Sequence, residues 1–87
     1  MKRFIVISED EKVLAAVPEN FPEHYEIQHG VWALAATNKT AGDICKMLGI
    51  HPNGDSKGRD GVVVGASAYN GYHNADLWEK VQLWEEL

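Results

Sequence analysis

Two neighbouring carboxylates, Glu9 and Asp10, follow closely on the apolar run Phe4-Ile5-Val6-Ile7. Acid–base chemistry needs polar groups that converge in a pocket, and these are the adjacent acids best set for it, at the end of a candidate core strand. Capping a helix explains them at least as well, because carboxylates are stabilised at a helix N-terminus. The four histidines, His24, His29, His51 and His73, have no cysteine or carboxylate partner at a zinc-like interval and read as surface residues. Cys45 falls on the apolar stripe of a helix, which suits a core residue better than a nucleophile. The stretch Asn53 to Gly61 invites phosphate and calcium readings. It lacks the Gly-Lys-Ser/Thr ending of a phosphate loop and the spaced oxygen ligands and final Glu of a calcium loop, so it reads as a mobile surface connector. Tyr69-Asn70-Gly71-Tyr72-His73 sets aromatic rings around a tight turn. Such rings can stack on bases, but without basic companions they are better read as props for the segment that follows. No catalytic residue, metal ligand or cofactor is expected from these patterns.

The densest apolar payload lies at the C-terminus. Leu77, Val81 and Trp84 recur at i, i+4 and i+7, Trp78 broadens the stripe, and Leu83 and Leu87 add apolar bulk. A tryptophan side chain buries on the order of 200 Å². A helix carrying two can dock on its own sheet or present a hot-spot surface to a partner, where tryptophan is enriched. Leu77, Trp78, Val81, Trp84 and Leu87 are therefore the expected protein-binding residues, and both modes stay open.

The elements that must position these residues can be read in turn. Arg3 to Ile7 is a continuous apolar, β-branched run and predicts a strand. Ser8, with Glu11 three residues on, predicts a capping box opening a short helix that Pro18 ends. His24 to Gln28 alternates and predicts a half-exposed strand. His29-Gly30 turns the chain into the apolar stretch Val31 to Thr37, read as a strand. Thr40 then caps a helix with Asp43 at its third position, Ala41, Ile44, Cys45 and Leu48 as its stripe and Gly49 as its stop. Gly61 opens another strand through Val62-Val63-Val64, and Asn74 caps a last helix. Strand, helix, strand, strand, helix, strand, helix is the order of an α/β sandwich of ferredoxin-like βαββαβ topology with an additional C-terminal helix. Both crossover helices then cover one face of the sheet. The other face receives Phe4 or Ile5, Val31 or Trp32, and alternate members of Val62 to Val64, and something must cover it.

Composition sets the remaining bounds. With 87 residues there is room for one domain, 1–87. Thirteen acids against eight Lys and Arg give a net charge of −5. Six of those acids lie between Glu9 and Glu26 beside the single base Lys12. No basic stripe for phosphate neutralisation is visible, which argues against nucleic acid as partner. The acidic surface points instead to a basic protein partner, alongside a second copy of the chain. The apolar run after Met1-Lys2-Arg3 is too short for a signal peptide, nothing approaches a membrane span, and a lone cysteine fits a reducing compartment. A cytoplasmic address with no membrane contact is the expectation.

Three stretches carry a likeness to a known family: Phe4-Ile5-Val6-Ile7 running into polar and acidic residues, Val31-Trp32-Ala33-Leu34-Ala35-Ala36-Thr37 leading into the helix opened by Thr40-Ala41, and Gly61-Val62-Val63-Val64. Over residues 2–67 the chain resembles the small ferredoxin-like nucleases of CRISPR adaptation complexes and their non-CRISPR relatives. The resemblance implies a homodimer. It also implies, for the nucleases of that family, an aspartate at the end of the first strand, paired across the dimer to hold a metal. Here Ser8 stands at about that position, with Glu9 and Asp10 just beyond. Two functions follow as expectations: a non-enzymatic, homodimeric protein-interaction module using the C-terminal helix and acidic surface, or a metal-dependent nuclease using Glu9 or Asp10.

Overall fold

The computed structural model describes residues 1–51, 58–66 and 79. In chain order the elements are β1 (Lys2–Ile7), α1 (Glu11–Asn20), β2 (His24–Gln28), β3 (Val31–Ala36), α2 (Ala41–Leu48) and β4 (Val62–Ala66). The strands form one sheet in the order β2-β3-β1-β4 with every neighbouring pair antiparallel. The result is an α+β fold with a four-stranded antiparallel sheet and two helices among the described residues, compatible with the topology expected from the sequence. The expected C-terminal helix lies outside the described residues.

Register settles which way each apolar run faces. Phe4 lies opposite Leu34 on β3, and Val6 lies opposite both Trp32 on β3 and Val63 on β4. That layer meets the helices. Phe4, Val6, Leu34 and Ala36 pack with Val13, Ala16, Val17 and Phe21 around α1 and with Ile44 and Leu48 of α2. The alternate residues, Ile5, Ile7, Val31, Ala33, Ala35, Val62 and Val64, turn to the opposite face. On that face Ile5, Tyr25 and Ile27 gather round the buried Ala33 and Ala35 as a second, smaller apolar cluster.

The first helix departs from its expected boundaries at both ends. Its N-cap is Asp10, whose carboxylate accepts the Lys12 N–H at 2.8 Å, not Ser8 with Glu11. Ser8 is unavailable for that role because it is buried and its hydroxyl is engaged elsewhere. Pro18 does not end the helix but sits exposed inside it. Two bonds hold the last turn beyond it: the Asn20 side-chain amide donates to the Ala16 carbonyl at 2.8 Å, and the Phe21 N–H donates to Val17 at 3.0 Å. Burial of Phe21 rewards that extra turn, so tertiary packing overrides the local break.

The second helix follows its sequence signals closely. Thr40 and Asp43 exchange both bonds of a capping box, and Gly49 closes the helix in the left-handed region at φ 79°. Ile44 and Leu48 are fully buried, Ala41 packs against the core, and Cys45 is half-buried rather than buried.

The described end of the connector between α2 and β4 is held by hydrogen bonds. The Arg59 N–H donates to the Gly49 carbonyl, Arg59 Nη1 donates to the Leu48 carbonyl at 3.0 Å, and Ile50 forms a parallel bridge with Arg59. Residues 52–57 lie outside the described part.

Candidate functional site

The acids singled out from the sequence gather where β1 ends, and Ser8 organises the place. Its backbone N–H donates to the Gly30 carbonyl at 2.9 Å, which ties β1 to the β2–β3 hairpin. Its hydroxyl donates to the Asp60 carbonyl at 2.5 Å and accepts the Asp10 N–H at 3.0 Å. One buried side chain thus joins the end of β1, the start of α1 and the approach to β4. The turn beside it requires glycine. Gly30 has φ 88°, and a Cβ there would lie 3.0 Å from the Ser8 carbonyl oxygen.

Around this junction lies an open depression of about 640 Å³, lined among others by Glu9, Asp10, His29, Asp60 and Val62. The acids in it are differently employed. Asp10 is the helix cap, while Glu9 and Asp60 are exposed. His29 Nε2 stands 3.1 Å from Glu11 Oε1, but both side chains are about three-quarters exposed, and such a pair contributes little. No group of three or more His, Cys, Asp or Glu able to hold a metal ion occurs among the described residues.

At the other end of the sheet the charge reverses. A second depression, of about 450 Å³, is lined by Lys2, Arg3 and Lys39 beside Gly65 and Ala66. Near it the capping box has an electrostatic consequence. The Thr40 backbone N–H, and then the Thr40 hydroxyl, hold the Asp43 carboxyl below its ordinary range, with smaller help from Lys39 and Lys46.

Between the two depressions runs the most exposed apolar surface of the described sheet. Val62 is 56 % exposed, Val64 47 % and Ile7 47 %. They adjoin on the face away from the helices, Ile7 directly opposite Val62 and Ile5 opposite Val64. The sequence left open which members of each apolar run would take this face. Ile7 is the last residue of β1, and only the pairing with β4 marks it as part of that side.

The other expected residues resolve as follows. His24 is structural: its Nδ1–H donates to the Phe21 carbonyl at 2.6 Å and its ring stands 5.5 Å from that of Trp32. Leu77, Trp78, Val81, Trp84 and Leu87, the expected protein-binding residues, lie outside the described residues, as do Tyr69, Tyr72 and His73. Among the described residues no helix is long and apolar enough to cross a membrane.

No family model, curated protein or solved structure matches the chain.

Proposed function

We propose that this chain is a non-enzymatic protein-interaction module of ferredoxin-like topology that associates with a second copy of itself. The observation that carries the reading is the exposed corner of Ile7, Val62 and Val64 on the sheet face opposite the helices. An apolar patch rimmed by polar residues marks an interaction surface, and here Glu9, Asp10 and Asp60 supply the rim. The amphipathic spacing of Leu77, Trp78, Val81, Trp84 and Leu87 adds a second adhesive element at the level of sequence. The acidic surface favours a basic protein as the further partner, and lone Cys45 suits a reducing cytoplasm.

Absolute mass by light scattering over a dilution series tests the reading. A mass of two chains that persists on dilution supports it. A single-chain mass at every concentration, together with unchanged partner capture by Trp84→Ala, refutes it.

A second reading, metal-dependent nuclease activity through Glu9 or Asp10 across a dimer, is favoured by one observation. Both acids line the depression at the end of β1, with Asp60 and His29 nearby. Incubation with RNA and DNA in magnesium or manganese tests it, and intact substrate at high protein concentration refutes it.

A further inference from the structure

A strand at the edge of a sheet exposes a row of unpaired N–H and C=O groups, and proteins blunt such edges with charges, proline or bulges. The two edges of this sheet differ. β2 is blunted by a register shift between Glu26 and Gln28 and by the exposed Glu26. β4 reads Val-Val-Val-Gly-Ala, with no charge and no proline, and keeps regular register with β1 along its whole length. Among the described residues β4 pairs only with β1.

Alternation decides which groups of β4 face outward. The Ser8 N–H bonds toward β3, so Val6 and Phe4 do the same, and Ile5 and Ile7 bond toward β4. Val64 and Val62 lie opposite Ile5 and Ile7 and are bonded inward. Val63 and Gly65 therefore turn their N–H and C=O groups to the edge that no other described strand occupies.

The two ends of β4 carry opposite charge. Among the described residues, the depression beside Val62 is lined by Glu9, Asp10 and Asp60 and by no Lys or Arg. The one beside Gly65 and Ala66 is lined, again among the described residues, by Lys2, Arg3 and Lys39 and by no Asp or Glu. A two-fold axis reverses one strand against the other and brings the acidic end of each copy to the basic end of its twin. A parallel pairing would oppose like charges.

We propose that two copies of this chain join by antiparallel pairing of their β4 strands about a two-fold axis at Val64, a seam that rests on the self-association reading above. In this register Val63 of each copy exchanges both backbone bonds with Gly65 of the other, so the outward groups of both strands are satisfied. Val62 meets Ala66, and Val64 meets its own counterpart as a non-hydrogen-bonded pair, with Cα atoms about 4.5 Å apart. The exposed corner of one copy continues into that of the other.

The register is tested by a thiol on the axis. Val64→Cys is made in a Cys45→Ala background, so that each chain carries one thiol, and is mildly oxidised and run on a non-reducing gel. A Cα separation of about 4.5 Å lies within the range a disulfide spans, so a covalent dimer is expected. Val62→Cys, whose neighbour is Ala66, should cross-link far less. Val64→Lys, on a side chain already half in solvent, sets two cations across the axis and should weaken dimerisation by about ten-fold or more. A wild-type chain that is monomeric throughout overturns self-association itself. A dimeric wild type with no Val64→Cys cross-link and no Val64→Lys effect overturns the seam alone. Equal cross-linking at Val62 and Val64 overturns the register.

Discussion

Replacing Ser8 separates a structural hydroxyl from a displaced catalytic position. The hydroxyl makes one bond to the Asp60 carbonyl at 2.5 Å and receives one from the Asp10 N–H at 3.0 Å, from a residue that is only 5 % exposed. A typical intramolecular hydrogen bond contributes about 0.5–1.5 kcal/mol net. Asp60 is exposed and Asp10 half-buried, so water can partly replace the lost partners in Ser8→Ala. The expected cost is about 1–2 kcal/mol, or roughly 4–16 °C in Tm for a domain of this size. Ser8→Asp should cost more. An ionised carboxylate cannot donate to the Asp60 carbonyl, sets oxygen against oxygen, and loses its own hydration. Burial raises the folded-state pKa of the introduced acid above its unfolded value, so its penalty is fully present at neutral pH. It shrinks as pH falls through the folded-state value, where a protonated acid regains a donor. Urea denaturation followed by circular dichroism at pH 7 and pH 5 measures both variants. Ser8→Asp as stable as the native chain at pH 7 would refute this account of the junction and reopen the position to an acidic, metal-binding role.

Four further substitutions probe the frame. Gly30→Ala forces a side chain into φ 88° with its Cβ 3.0 Å from the Ser8 carbonyl, and should lower unfolding free energy by about 1–2 kcal/mol. Thr40→Ala removes the N-cap of α2 and should cost about 1 kcal/mol in the same assay. Because the Asp43 pKa is lowered in the fold, its contribution is present above the ordinary carboxyl value of 3.8 and is lost as pH falls through the lower, folded value. Asp43→Asn should flatten that acid limb, and carbon-detected NMR should find the Asp43 midpoint below that of unstructured aspartate. Arg59→Ala removes the Nη1 bond to the Leu48 carbonyl and should speed amide exchange in the Gly49–Ile50 turn without unfolding the sheet.

How legible each part was in the sequence follows from the range of the interaction that fixes it. The second helix was readable almost to the residue because its start and stop are local: Thr40 and Asp43 cap each other, and Gly49 needs no distant partner to adopt a positive φ. The first helix was misread at both ends because the deciding partners are distant. Ser8 looked like a cap until Asp60, fifty-two residues on, claimed its hydroxyl. Pro18 looked like a stop until burial of Phe21 and the Asn20 amide held another turn past it. The same limit applies to the site. Glu9 and Asp10 were visible as neighbours in sequence, but the corner of Ile7, Val62 and Val64 exists only once β4 returns beside β1.

That return is itself a specification problem. A run of three valines does not fix its own register, since a two-residue slip presents nearly the same side chains to the same face and a one-residue slip exchanges the faces. The specification comes from the residues just before the strand. Arg59 is bonded to the end of α2 through Gly49 and Leu48, Asp60 is held by the Ser8 hydroxyl, and Gly61 passes so close to Ile50 that a Cβ would fall 2.7 Å from its Cδ1. With three successive residues pinned, Val62 can lie only opposite Ile7, and Val63 is the valine that reaches the core. Ser8 therefore supplies the register that the three valines leave open. By fixing where β4 begins, it also fixes which valines stand in solvent and which backbone groups remain open on the edge.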